Sequence, residues 1–242
     1  MLQLFQAIFY TPFLNALIVF YNTIAFQDLG VAIILLTLAI RLAFMPLFYK
    51  GARNQTLIQK LQPEIKKIQE KHKEDKEKQA EAMLALYREH NVNPFAGFLM
   101  LLVQLPVLIG LYRVFLQQIT PASLTTLYSF IAVPQQINAT FLHLLDLQKP
   151  SILMVILAAA AQYVQGRLAL PKIEKGQQLS TADQMARQMM FIGPVITLVI
   201  LGSLPSAIGL YWLVTSIFTA GQQIYINKTI NIKEEEKAHG LA

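Results

Sequence analysis

The 242-residue sequence contains no cysteine, which excludes disulfides, thiolate metal sites and a cysteine nucleophile. It also contains little charge, since Asp, Glu, Lys and Arg make up 14% of the chain, against roughly 25% in ordinary soluble proteins. A disordered chain, a nucleic-acid-binding arm and a water-soluble enzyme all require more charge than this. Hydrophobic residues instead make up 55% of the chain, and the mean hydropathy is +0.45. This composition predicts a membrane protein.

Apolar stretches locate the predicted spans, because a bilayer core of roughly 30 Å needs about 20 apolar residues in a helix. Five stretches qualify, at residues 29–49, 94–116, 151–170, 189–204 and 205–226. The fourth is short, and only the sequence GSLPS separates it from the fifth, which predicts a tight hairpin at the membrane surface. We therefore expect an all-α, polytopic membrane protein.

Residues 1–27 are harder to assign, because Gln and Asn interrupt their helical stripe of apolar side chains. This pattern favours an external amphipathic helix in the membrane interface over a sixth span. No Lys or Arg precedes the apolar run and no small-residue cleavage pattern follows it, so a signal peptide is not expected.

The distribution of Lys and Arg predicts the orientation, because positive residues are retained on the cytoplasmic side. When the loops are grouped alternately, 17 of the 20 basic residues fall on one side; the others are Arg113 and Lys149 opposite and Arg41 inside the first span. We expect the N-terminus outside and the C-terminus in the cytoplasm. The connecting segments are then an external loop at 117–150, a cytoplasmic loop at 171–188 and a cytoplasmic tail at 227–242.

The cytoplasmic segment 51–93 is strongly charged, with nine Lys or Arg and seven Asp or Glu residues. Its apolar residues form two stripes at helical spacing: Leu57, Leu61, Ile65 and Ile68, then Ala80, Met83, Leu84 and Tyr87. Two helices packed along these stripes form an antiparallel helical hairpin, with a turn at 72–76. Pro63 should kink or restart the first helix. The alternative is a solvated connector, which rarely needs so long an ordered segment.

Arg41 is the candidate functional residue inside the spans. It lies eight residues from the cytoplasmic end of the first span, hence about 12 Å deep. No span contains an Asp or Glu to pair with it. An Arg near the bilayer centre costs roughly 2.5–3.5 kcal/mol. Snorkelling to the interface is one explanation; the other is a water-filled cavity around the cation, which we favour.

Neutral polar residues in the spans support the cavity. They are Gln104 on the second span, Gln162 on the third, and Trp212, Thr215, Ser216 and Thr219 along one face of the fifth. Each has a structural alternative, because a hydroxyl can bond to its own helix and a Gln can join two helices. Together with Arg41 they predict a hydrophilic groove that is open to the cytoplasm.

Enzyme chemistry is not predicted. The spans contain no His, Asp or Glu, the four histidines lack metal-ligand spacing, and no phosphate-binding Gly-rich loop is present. We therefore expect no catalytic residues, no metal and no cofactor. An ion-coupled transporter would normally show an intramembrane carboxylate and internal repeats, and neither is evident.

Four motifs in chain order resemble the YidC/Oxa/Alb family of membrane protein insertases, in its bacterial YidC type. They are RLAFMPL at 41–47, LQPEIKKIQEK at 61–71, NPFAG at 93–97 with QLPVLIGLY at 104–112, and LPSAIGLYW at 204–212 followed by Gln222 and Gln223. The resemblance covers nearly all of the chain.

The resemblance implies five spans around a groove that is closed on the outer side, with Arg41, Gln104, Gln162 and Trp212 at groove positions. It implies that the protein moves nascent transmembrane segments from the cytoplasm into the bilayer of the bacterial inner membrane, alone or with the Sec translocon. The 51–93 hairpin would recruit the ribosome or the signal recognition particle receptor. A small channel or transporter and a structural membrane adaptor are the alternatives.

Overall fold

The structure, a computed structural model, describes residues 2–116, 124–170 and 181–238, which are mostly helical. Helix α1 is continuous and consists of Leu2–Phe5, a π-helical turn at Gln6–Tyr10, and Thr11–Thr23. The other helices are α2 (Leu29–Ala43), α3 (Met45–Lys60), α4 (Gln62–Lys71), α5 (Lys76–Glu89), α6 (Ala96–Leu116), α7 (Ile152–Ala169), α8 (Thr181–Leu201) and α9 (Ser206–Ala238). Between α6 and α7, strands β1 (Thr140–Phe141) and β2 (Leu145–Asp146) pair antiparallel.

The helices agree with a membrane protein. Within the described ranges, three helical segments are long and apolar enough to cross a bilayer, namely Gln3–Thr23, Ala96–Phe115 and Ile152–Ala169. The pair α2 and α3 passes the same test together, and Arg187–Leu201 in α8 is a shorter apolar helix. The all-α membrane fold is confirmed, whereas the count of five spans and their bounds stay predictions.

The predicted first span, 29–49, is divided at Phe44. Helix α2 ends at Ala43, α3 begins at Met45, and the two axes differ by 69°. Pro46 lies in the first turn of α3. It has no N–H to donate to the Leu42 carbonyl and its ring would clash with that carbonyl, so α2 cannot continue and the chain bends here. The bend directs α3 against α6 and α9.

Helix α1 packs against α2 and α6. Leu14, Leu17 and Ile18 are fully buried in the main apolar core. Phe13 lies so close to Gly110 on α6 that a Cβ there would come within 2.9 Å of its ring. The apolar stripe of residues 1–27 thus faces other helices of the bundle; the interfacial location of this segment stays a prediction.

The segment 51–93 contains an antiparallel pair, α4 and α5, with a small core of its own. That core consists of Leu61, Ile65, Leu86 and Val92. Pro63 lies in the first turn of α4, where a missing N–H costs nothing. Asp75 caps α5 by accepting a hydrogen bond from the Lys78 N–H at 3.0 Å, and its contacts with Lys78 lower the pKa of the Asp75 carboxyl.

Two residues of the predicted stripes differ, because Ala80 and Leu84 are both exposed. Leu84 is 47% exposed, whereas Leu86, which the stripe omitted, is 7% exposed. The physical reason is that Val92, beyond the end of α5, also packs into this core. The face of α5 that carries Leu86 therefore lies against the core.

Leu86→Ala should destabilise the hairpin by about 2–4 kcal/mol, because it leaves a cavity in the hairpin core. Leu84→Ala is the matched control and should cost much less. Hydrogen exchange of the α4 and α5 amides in the membrane-embedded protein measures both. Equal protection in the two variants would contradict the observed packing.

Candidate functional site

The interior of the bundle is layered along the helices. Near the 124–150 loop, the end here called the loop side, the core between α1, α2, α6 and α9 is apolar; it includes Ile33, Leu36, Leu111 and Leu210. Toward the opposite end, the hairpin side, polar residues follow on the same helices: Thr37 and Arg41 on α2, Gln104 on α6, and Thr215, Ser216 and Thr219 on α9. An apolar layer on the loop side is therefore followed by a polar layer on the hairpin side.

The loop side is closed by hydrogen bonds from the 124–150 loop to three helices. On α1, the Tyr21 hydroxyl accepts from the Asn138 N–H at 2.8 Å. At the start of α2, the buried Asp28 carboxylate accepts from the Leu142 N–H at 2.6 Å. At the start of α9, the Ser206 hydroxyl donates to the Asp146 carbonyl at 2.8 Å. The loop thus caps the apolar layer.

Arg41 lies directly below this layer and is 8% exposed. Among the described residues no carboxylate lies within 4.0 Å of its guanidinium. Its Cζ lies 4.7 Å from the ring centroid of Phe48, on the other side of the bend. The face of an aromatic ring stabilises a cation without neutralising it. Arg41 is therefore a buried positive charge that retains its full charge.

Tyr211 connects α9 to α6. It is 3% exposed, and its hydroxyl accepts a hydrogen bond from Gln104 Nε2 at 2.7 Å. Arg41 and Tyr211 are both buried, on the helices α2 and α9, which pack against each other. The hydrogen bond of Tyr211 thus joins α9 to α6 inside the bundle.

The polar face of α9 continues toward the hairpin side. Thr219 donates to the carbonyl of Thr215 in its own helix at 2.8 Å. Further along, Gln223 Nε2 donates to Thr56 Oγ1 on α3 at 3.0 Å and to Asn227 Oδ1 at 2.8 Å, and Asn227 donates to the Leu168 carbonyl of α7 at 2.9 Å. This chain of amides joins α3, α9 and α7 on the hairpin side of Arg41.

Two of the predicted groove residues contact another part of the bundle. Gln162 on α7 accepts a short hydrogen bond from Thr197 on α8. Trp212 is half-buried and packs against an apolar cluster that includes Val155, Ala158 and Leu201. The structure therefore joins Gln104 to α9 through Tyr211, while the contacts of Gln162 and Trp212 lie toward α7 and α8.

Sequence reasoning missed Tyr211 and Phe48, although both carried a signal. Tyr211 lies one helical turn before Thr215, so it shares a face with the polar residues of α9. Phe48 follows Arg41 by seven residues, a spacing that would put both on one face of a straight helix; the bend changes that relation. Among the described residues, no group of three His, Cys, Asp or Glu side chains could hold a metal ion.

Comparison with known proteins gives consistent results. The family model for the 60Kd inner membrane protein matches residues 19–235. The membrane protein insertase YidC of Clostridium tetani is 37% identical over 201 residues, covering 82% of this chain and 81% of that protein. YidC of Magnetococcus marinus is 36% identical over 211 residues, covering 86% of this chain. The chain spans about a third of the length of the latter, at 34%.

A solved structure agrees with these matches. It is described as an active YidC insertase crystal structure with the first transmembrane domain resolved. The TM-score is 0.57 and the identity 28%, over 90% of this chain and 45% of that one. Together with the apolar helices, this likeness identifies a multi-pass inner membrane protein. The chain belongs to the 60Kd inner membrane protein family, whose relatives reported above carry the name membrane protein insertase YidC.

Proposed function

We propose that this protein is a membrane protein insertase that moves nascent transmembrane segments into the bilayer through a hydrophilic groove around Arg41. One observation carries the proposal: a buried arginine with no carboxylate partner among the described residues follows the apolar core on α2, in a bundle whose helices α6 and α9 are joined by a polar contact. The groove comprises Arg41, Gln104, Thr215, Ser216 and Thr219, with Gln162 and Trp212 toward α7 and α8.

The mechanism follows from the cost of moving polar groups through hydrocarbon. Each unsatisfied backbone group there costs several kcal/mol. A water-filled groove on the hairpin side leaves a smaller apolar thickness for a translocated tail to cross. The remaining apolar part is the layer around Leu36 and Leu210. The retained charge of Arg41 attracts acidic and polar groups of that tail. The apolar segment then moves along α2, α7 and α9 into lipid, driven by the burial of its apolar surface.

The cap on the loop side supports an insertase over a channel. A channel requires a polar path that opens on both sides, whereas the loop fastens α1, α2 and α9 above an apolar layer. A groove open to one side and to lipid suits a substrate that ends in the bilayer. No nucleotide is required, because partitioning of the apolar segment supplies the driving force.

We propose further that the N-terminus lies outside and that the hairpin side is cytoplasmic, because 17 of 20 basic residues are grouped there. In this orientation α4 and α5 extend from the groove toward incoming chains. We propose that they recruit the ribosome or the signal recognition particle receptor. Action alone or beside the Sec translocon is compatible with the same groove.

Substitution of Arg41 tests the electrostatic part of the proposal. Insertion of a substrate with an acidic translocated tail should be near wild type in Arg41→Lys, lower in Arg41→Ala, and lowest in Arg41→Glu. Insertion by Arg41→Glu should be about tenfold lower than insertion by Arg41→Ala, since about 1.4 kcal/mol of interaction corresponds to a factor of ten. Protease protection of the translocated tail in reconstituted vesicles measures insertion.

A substrate of equal length with a neutral tail is the matched control. Its insertion should differ much less among the three variants. Equal insertion of the acidic substrate by all variants would overturn the role of the charge. Equal amounts of variant protein in the membrane must be verified in parallel.

Deletion of the hairpin tests recruitment. Replacing residues 62–91 by a short Gly-Ser linker should leave the protein in the membrane, because the hairpin core is separate from the core of the bundle. Leu61 and Val92 share the hairpin core, so their chain ends lie close enough to rejoin. Insertion of ribosome-delivered substrates should fall strongly. Insertion at the wild-type level would show that the hairpin is dispensable for recruitment.

A further inference from the structure

We propose that residues 124–144 of the loop lie in the lipid headgroup region on the loop side of the bundle, where their exposed apolar side chains contact lipid. These side chains, here called the loop surface, are Tyr128, Phe130, Val133, Leu142 and Leu144. The inference goes beyond the proposed function, because it concerns how the loop meets the bilayer and does not depend on the groove.

The loop surface is apolar and lies in an uncharged part of the chain. Residues 124–144 contain no Asp, Glu, Lys or Arg. Phe130 is 79% exposed and Leu144 is 88% exposed, and the rings of Tyr128 and Phe130 lie 5.7 Å apart. Single apolar side chains are common on a protein surface, but a group of them marks a binding site for a partner or a membrane.

The neighbouring helices indicate that the partner of the loop surface is the membrane. The loop joins α6 to α7, and both helices are long and apolar enough to cross a bilayer. Exposed apolar residues continue from Leu144 into the first turn of α7, at Ile152 and Leu153. The bilayer around these helices therefore adjoins the loop surface.

The irregular backbone of the loop indicates its depth. Side chains of α1 bind part of this backbone: Asn15 Oδ1 accepts from the Tyr128 N–H at 2.7 Å, and Asn22 Nδ2 donates to the Ala132 carbonyl at 2.7 Å. Irregular backbone is not found exposed to hydrocarbon, because its polar groups need partners there. The headgroup region contains water and also accepts apolar side chains, so it suits both the backbone and the loop surface.

Two turns expose bulky apolar side chains on a backbone conformation that such residues rarely adopt. Phe26, after α1, has a φ of 53° and Leu142 has a φ of 52°, and both side chains are exposed. Asp28 connects the two turns, because its carboxylate accepts from the Leu142 N–H at 2.6 Å. Gly or Asn is usual at left-handed positions. Burial of the two side chains among lipids offsets the cost of this conformation.

The missing charge also identifies the kind of lipid contact. Anionic headgroups attract clusters of Lys and Arg, which residues 124–144 lack. Tyr128 suits an interface, because its ring is apolar and its hydroxyl can bind water or a headgroup. The contact is therefore apolar, and we expect it to be independent of anionic lipid and of salt.

Single Cys variants test the depth of the loop surface, because the chain has no natural cysteine. Phe130→Cys and Leu144→Cys are labelled with an environment-sensitive fluorophore and reconstituted in nanodiscs of phosphatidylethanolamine and phosphatidylglycerol, which leave both faces in contact with buffer. Nitroxide lipids, labelled in the headgroup or at the end of the acyl chain, then quench the fluorescence. At both sites we expect stronger quenching by the headgroup nitroxide than by the chain-end nitroxide, and little quenching by aqueous iodide.

Two further sites calibrate the measurement. Leu84→Cys, at an exposed leucine of the hairpin, should be quenched by iodide and not by the nitroxides. Ala160→Cys, at an exposed alanine near the middle of α7, should be quenched most by the chain-end nitroxide. Quenching of the loop sites by iodide alone would overturn the inference, because it would place the loop in water. Protection from all three quenchers would also overturn it, because another protein surface would then cover the loop.

Two more arms complete the test. Omission of phosphatidylglycerol, or added salt, should leave the headgroup quenching unchanged; its loss would contradict an apolar contact. Phe130→Trp in a Trp212→Phe chain repeats the measurement without a label, since Trp212 is the one natural tryptophan. Its emission should be blue-shifted and quenched by the headgroup nitroxide. Emission typical of an indole in water would contradict the inference.

Discussion

A positive charge buried without a carboxylate is the constraint on which the rest of this structure depends. The cost of placing Arg41 in hydrocarbon must be offset by groups that leave it charged. The bend at Phe44 places Phe48 over the guanidinium, and Gln104 of α6 binds the Tyr211 hydroxyl of α9, a helix that packs against α2. The bend and the packing of these helices thus keep Arg41 buried beside an aromatic ring.

An apolar layer lies on the loop side of Arg41. Apolar residues of four helices fill the loop side, and the 124–150 loop fastens those helices through Asp28, Tyr21 and Ser206. On the hairpin side the amides of Gln223 and Asn227 join α3, α9 and α7 instead. Arg41 thus lies between an apolar core on the loop side and a chain of amide hydrogen bonds on the hairpin side.

The sequence predicted the helical membrane fold and an Arg41 without a carboxylate partner in the spans, because hydropathy and the positions of charged residues are local signals. The functional role of Arg41 stays a prediction. The bend was not predicted from hydropathy, since the apolar stretch at 29–49 is long enough for one continuous span although it contains Pro46. Helical spacing identifies a face only to within neighbouring residues, so the sequence could not show that Tyr211 is 3% exposed while its neighbour Trp212 is half-buried. Leu86 is buried instead of Leu84 because Val92, which lies outside the helix, packs into the same core.

The central claim is that the region of Arg41 is wet and reachable from the hairpin side only. Because the chain has no natural cysteine, single Thr219→Cys and Leu36→Cys variants can be labelled with a small charged thiol reagent in sealed vesicles of each orientation. A thiol reacts as the thiolate, which requires water. The account predicts that Cys at 219 reacts from the hairpin side alone and that Cys at 36 reacts from neither. Labelling at 219 from the loop side, or no labelling at all, would contradict it.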